Sequence, residues 1–123
     1  LAQNQDPWSV NILASYAGEQ IFTDTEFIEK TKKLISSERK RMYDEISCWK
    51  NVKIYKSASN FMLVKLLTDK VDAAEIFDYM IREKMVIRDA ASFTFLDESF
   101  LRFCVLSPEE NTKFLTELKK IVE

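Results

Sequence analysis

Four short strand-like runs limit this chain more than any other feature. They come in two close pairs, 52–55 with 61–67 and 86–88 with 100–106. Strands so few and so closely joined leave no room for the crossover helices of a doubly wound parallel sheet. Helical patterns precede, separate and follow the pairs. The order helix, strand, strand, helix, strand, strand, helix predicts an α+β fold: a small mixed or antiparallel sheet of about four strands, with helices packed on one face.

The helical patterns are individually legible. A short run from Pro7 to Gly18 carries Ile12, Leu13, Tyr16 and Ala17, and Gly18 suits its end. Thr23 or Asp24 can cap the next helix, which should reach about Cys48. Its Ile28, Ile35, Met42, Ile46 and Trp49 recur at helical spacing, and Phe27 and Leu34 should widen the stripe. The opposite face is heavily charged. Asp72 with Glu75 reads as a helix start, followed by a face of Ile76, Phe77, Met80 and Ile81. Ser107-Pro108-Glu109-Glu110 combines an N-cap, a proline at the first helical position and an acid at the third. Phe114, Leu115, Leu118, Ile121 and Val122 line the last helix. The run 61–67 reads as a strand buried on both faces.

Composition then narrows the function. The 123 residues suit one domain. There is no histidine, so no imidazole base, no Ser-His or Cys-His pair and no histidine metal ligand. A single glycine cannot build a phosphate-cradling loop or a dinucleotide fingerprint. Cys48 and Cys104 are too few for a structural zinc site or a disulfide scaffold. No apolar run approaches the roughly 20 residues of a membrane span. The start, Leu-Ala-Gln-Asn-Gln-Asp-Pro-Trp, lacks a signal pattern and an initial Met, as expected of a segment of a longer or processed chain. A self-contained enzyme is not expected. Net charge is −2 overall, yet residues 29–56 carry nine basic and four acidic residues, a net +5. Such a stretch is either a solvated helix face or a surface for an anion.

One residue stands out chemically. In the run 100–106, alternation puts Leu101, Phe103 and Val105 on the face that packs under the helices. Arg102, Cys104 and Leu106 share the other face. A mid-strand guanidinium among apolar neighbours needs an anion. Arg88 ends the preceding strand. If the two strands are neighbours, both arginines can address one anionic site. The alternative is an ion pair within the chain, with Asp89, Asp97 or Glu98. Asn60, after Ser57 and Ser59, can either read a ligand or tie its turn together. Lys65, alone in an apolar strand, fits an edge or a strand end. Cys104 reads as an inert buried thiol, and Trp8 and Trp49 as packing residues.

Pro7-Trp8-Ser9-Val10-Asn11, Ser59-Asn60-Phe61-Met62-Leu63, Val86-Ile87-Arg88-Asp89, Phe100-Leu101-Arg102-Phe103 and Ser107-Pro108-Glu109-Glu110-Asn111 follow one another in order. Together they resemble the C-terminal region of the histidinol-phosphate aminotransferase group of fold-type I pyridoxal-phosphate enzymes. The first of them leans toward the L-threonine-O-3-phosphate decarboxylase branch. The resemblance covers nearly the whole chain. It implies that residues 1–123 are the C-terminal small domain of a two-domain, usually homodimeric, cytoplasmic biosynthetic enzyme. It implies an amino-acid or amino-phosphate substrate, with Arg102 on its carboxylate, Arg88 on its phosphate or second anionic group, and Asn60 near the active-site side. It also implies pyridoxal 5'-phosphate as cofactor of the whole enzyme. The Ser-Lys motif and the Asp that hold the cofactor lie in a large domain absent from this chain, so no catalytic or cofactor-binding residue is expected here. Two departures stand out: Phe95 falls where the group usually has Gly, and Leu106 where the decarboxylase pattern often has Arg.

A different class, a non-enzymatic α+β module binding a small ligand or RNA, would also use a small sheet and a basic stretch. Against RNA, the strands lack the Gly-aromatic motif that presents stacking rings. Neither nucleic acid nor membrane is an expected partner.

Overall fold

A computed structural model of the chain describes residues 10–123. Pro7, Trp8 and Ser9, with the expected start of the first helix, lie outside the described residues. The chain divides into two compact units, residues 1–33 and 34–123. In chain order the elements are α1 (Ile12–Ile21), α2 (Thr25–Ile46), β1 (Val52–Ile54), β2 (Phe61–Leu66), α3 (Ala73–Arg82), β3 (Arg88–Asp89), β4 (Phe100–Cys104) and α4 (Pro108–Val122).

In the first unit, the Asn11 side chain caps α1 by accepting from Ala14 N at 2.8 Å. The helix runs past Gly18 to Ile21, because no glycine takes the left-handed conformation that would end it. No residue of α1 is buried. Asp24 is the cap of α2, its carboxylate accepting from Phe27 N at 2.9 Å. Phe27 and Leu34 do not widen a buried stripe: both are exposed.

The second unit is built on the sheet. Its strand order is β1-β2-β4-β3, and every pair is antiparallel. Both sequence-readable capping boxes are present. Asp72 and Glu75 start α3, and Ser107 and Glu110 start α4 with Pro108 at its head. Alternation along the strands sends Val52, Ile54, Met62, Val64, Leu66, Leu101 and Phe103 to one face. They form one core with Met42 and Ile46 of α2, Ala73, Ile76 and Met80 of α3, and Phe114, Leu115, Leu118 and Val122 of α4. Each such side chain contributes roughly 1.5–3 kcal/mol through removal from water. Trp49 joins this core, as expected of a packing residue.

On the other face most of the strand residues are half-buried or exposed. β2 is therefore buried on one face and half-open on the other, not buried on both. Lys65 stands at the end of β2 and on that open face, and not at an edge of the sheet, because β2 lies between β1 and β4.

Candidate functional site

The sheet register decides whether the two arginines meet. β3 and β4 are neighbours, and Arg88 stands directly opposite Arg102. Directly paired residues of an antiparallel ladder project from the same face. On the other side of β4, Leu63 of β2 is the partner of Arg102. Both arginines thus leave the open face, and both line a shallow recess of about 340 Å³ with Phe61, Phe77, Val86 and Cys104.

The alternative, an ion pair with Asp89, Asp97 or Glu98, is not what the structure shows. No Asp or Glu comes within 4.0 Å of either guanidinium among the described residues. Asp89 instead accepts from Ala91 N at 2.8 Å. Asp97 accepts from Ser99 N at 2.9 Å and from the Ser99 hydroxyl, and these two donors hold its carboxyl below the usual range. Arg88 has one hydrogen bond, from Nη2 to Ser92 Oγ at 3.4 Å. The Arg102 Nε is buried and has no hydrogen-bond partner.

Aromatic rings stand where carboxylates were expected. Arg102 Cζ lies 4.4 Å from the centroid of Phe61 and 5.4 Å from that of Phe93. Arg88 Cζ lies 5.5 Å from Phe93. A ring attracts a cation through its quadrupole but leaves the charge uncancelled. Two like charges directly opposite each other cost roughly 0.2–1 kcal/mol in a sheet. The arrangement is an uncompensated pair of planar cations whose N–H groups suit a carboxylate or a phosphate. Neither ring was among the candidate residues. Alternation along 61–67 could have placed Phe61 on the face of Lys65, but Phe93 sits in the irregular stretch after β3, where no period applies.

Asn60 does not join the recess. Its backbone oxygen accepts from Val105 N at 2.8 Å, next to the start of β2. Serines tie the turn: Ser57 Oγ donates to Phe61 O at 2.6 Å, and Phe61 N donates to Ser59 Oγ at 3.0 Å. Arg39 of α2 clamps this turn through Ser59 O at 2.9 Å. Cys104 is half-buried and Cys48 exposed, both as free thiols. Phe95 takes a left-handed φ of 69° and is 99% exposed. The loop therefore keeps a backbone shape that suits glycine although a phenylalanine occupies it.

A buried polar lock holds the exit of β4. Asn111 Nδ2 donates to Glu38 at 2.9 Å and to Leu106 O at 2.9 Å, while its Oδ1 accepts from Leu106 N at 2.9 Å. Arg41 completes the group with Nη2 2.8 Å from Glu38. The Arg41 guanidinium, with help from Asn111, holds the Glu38 carboxyl below the usual range against the opposing effect of burial. The basic stretch is largely a solvated face: Lys30, Lys32 and Lys40 of α2 pair with Glu26, Glu29 and Asp44 one turn away. No helix among the described residues is long and apolar enough to cross a membrane.

No protein-family profile matches the chain. Individual proteins do. A histidinol-phosphate aminotransferase of Dehalococcoides mccartyi is 37% identical over 125 residues, which cover 100% of this chain and 33% of that protein. The crystal structure of the histidinol-phosphate aminotransferase from Clostridium acetobutylicum superposes with a TM-score of 0.80 at 32% identity, over 97% of this chain and 35% of that one. The L-threonine-O-3-phosphate decarboxylase from Porphyromonas gingivalis does so with a TM-score of 0.78 at 31% identity, over 98% of this chain and 37% of that one. The chain spans about a third of the length of the curated relatives it matches. Its sheet, helices and sequence are similar to a segment of aminotransferases and decarboxylases. More particularly, the chain is homologous along its whole length to part of the enzymes of the histidinol-phosphate aminotransferase and threonine-phosphate decarboxylase group.

Proposed function

We propose that this chain is the C-terminal substrate-gripping domain of a pyridoxal-phosphate-dependent aminotransferase or amino-acid decarboxylase. Arg102 binds the substrate carboxylate, and Arg88 binds its phosphate or second anionic group. The observation that carries this reading is the in-register pair of arginines on the open sheet face, neither with an acidic partner and one with a buried, unpartnered Nε among the described residues. The buried Nε of half-buried Arg102 is costly unless an acceptor completes it, and Arg88 beside it is exposed to an incoming anion. The homology to enzymes that act on phosphorylated amino compounds supports a ligand bearing such anions.

The residues present fit the substrate rather than the cofactor. Lys65, on the open face, lies with its Nζ 5.1 Å from the Phe100 ring, and the recess that holds both arginines is lined by no lysine. Pyridoxal phosphate, held by the remainder of the full-length enzyme, supplies the electron sink for bond cleavage at the α-carbon. This chain's contribution is orientation. Arg102 fixes the carboxylate by two parallel N–H bonds, which sets the rotation about the substrate's Cα. Arg88 fixes the far end. Which group at Cα is then aligned for loss, a proton or the carboxylate, follows from that two-point grip. Recognition of the substrate amine and proton transfer belong to groups outside this chain. The full-length protein works as a cytoplasmic homodimer. The exposed Ile12, Leu13, Tyr16 and Phe22 support burial of α1 in that larger assembly.

The test is Arg102→Ala in the full-length protein. The expected result is a fall in kcat/KM of about 100-fold or more, the loss of a charge-assisted bidentate contact, with the cofactor absorbance unchanged. Unchanged turnover would overturn the reading. The 123-residue chain alone is expected to bind no pyridoxal phosphate; a lysine of this chain trapped by borohydride in its presence would contradict that.

A further inference from the structure

The cations of the open face share one trait. Lys53, Lys65, Arg88 and Arg102 each lie over an aromatic ring, at 4.4–5.5 Å from its centroid. None has a carboxylate within 4.0 Å among the described residues. Only Arg88 and Arg102 have a ring in common, and it is Phe93.

Phe93 is well placed to be a fixed platform. Its N–H donates to Ala90 O at 3.0 Å, and its own carbonyl accepts from Leu96 N at 3.1 Å. Ala90, at the foot of this turn, is fully buried and donates in turn to Phe100 O of β4 at 3.0 Å. The neighbouring Ser92 receives the one hydrogen bond of Arg88. The turn thus offers a ring to both guanidiniums and a hydroxyl to one.

We propose that Phe93 is the positioning residue of the two-arginine site. Its ring brings both guanidiniums to one platform and so sets the spacing at which Arg102 meets the substrate's carboxylate and Arg88 its phosphate or second anionic group. A guanidinium resting on a ring presents its N–H edges elsewhere, and those edges are the groups an anion needs. Restricting two long side chains before the ligand arrives removes part of the ordering cost of binding. The ring's negative face also eases the approach of two like charges that stand opposite each other in the ladder. This rests on the reading that Arg102 and Arg88 bind the substrate's anionic groups.

The experiment follows the Nε–H resonances of Arg88 and Arg102 in the whole chain during titration with O-phospho-L-serine, which carries a carboxylate and a phosphate on one molecule. In the wild type both resonances shift with one saturation curve. Phe93→Leu weakens its binding about tenfold and uncouples the two curves, and Phe93→Tyr restores both. Pentafluorophenylalanine at position 93 keeps the shape but inverts the quadrupole. It must also weaken binding, which keeps the proposal testable if Phe93→Leu loses its native spectrum. Wild-type affinity in the fluorinated chain, or in a folded Phe93→Leu, overturns the role of Phe93 alone, provided Arg102→Gln abolishes binding. An absence of saturable shifts in the wild type, or wild-type affinity in Arg102→Gln, overturns the anion site itself and Phe93 with it.

Discussion

The two faces of the sheet share the same strands but are built by different rules. On the covered face, Met62, Val64, Leu101 and Phe103 meet three helices, and every one is buried. On the open face, Phe61, Leu63, Lys65, Arg102 and Cys104 are exposed or half-buried, while Phe100, the partner of Lys65, is buried. Cations there meet rings and not acids. The covered face is complete as it stands: its atoms have partners within the chain. On the open face, among the described residues, the buried Arg102 Nε has no hydrogen-bond partner and the two facing guanidiniums have no carboxylate within 4.0 Å. A stable core needs no ligand, whereas a binding face must leave part of its chemistry unfinished.

Neighbouring residues of one strand make the largest break in this comparison. Met62 is 1% exposed on the covered face, and Leu63 next to it is half-buried on the open one. Met62→Ala should cost about 3 kcal/mol by urea denaturation, from lost transfer energy and the cavity left behind. Leu63→Ala should cost about 1 kcal/mol, in keeping with its partial burial. Equal costs would show that the open face is as well packed as the covered one.

The Glu38 lock, which anchors the end of β4 to α2 and α4, gives the next effect. Glu38→Gln weakens the Arg41 contact and should cost about 2 kcal/mol at neutral pH, read from the same denaturation curves. Its folded carboxyl sits below the ordinary value, so its contribution is full above the unfolded pKa, near 4.3. It is lost as pH falls through the lower, folded value. The gap between wild type and Glu38→Gln should therefore narrow below about pH 4. A gap that widens in acid would reverse the assigned direction.

The smallest effect lies in the loop bordering the open face. Phe95→Gly releases the left-handed strain of an exposed ring that packs on nothing, offset by glycine's larger unfolded entropy. A net gain of about 0.5 kcal/mol is expected in thermal unfolding. A loss would mean that the Phe95 ring has contacts that hold the loop.

The comparison also explains what could be read in the sequence. Period-two alternation in 100–106 assigned Arg102 its face, because a strand offers only two. The capping boxes at Asp72 and Ser107 were legible because their partners are three residues away. The meeting of Arg88 and Arg102 was conditional, since it needs the order β1-β2-β4-β3 and pairing across a loop. For Lys65 the strand end was legible but the open face was not, because Phe61 and Leu63 make β2 look apolar on both sides. Those residues flank Arg102 on the open face, a reason visible only once β2 and β4 are in register. Glu38 falls between Ile35 and Met42 on the apolar stripe of α2, and its partner Asn111 is 73 residues away. Phe27 and Leu34 obey the helical spacing but remain exposed, and spacing alone does not say whether a partner exists.

The central claim is that the open face is an anion site, and the melting temperature of the whole chain in phosphate tests it most directly. Phosphate and chloride are compared at matched ionic strength, in wild type and in Arg102→Gln. Phosphate that binds only the folded state at this face must raise the wild-type melting temperature. The account predicts that this rise exceeds the general salting effect seen in Arg102→Gln. The same rise in both proteins would contradict it.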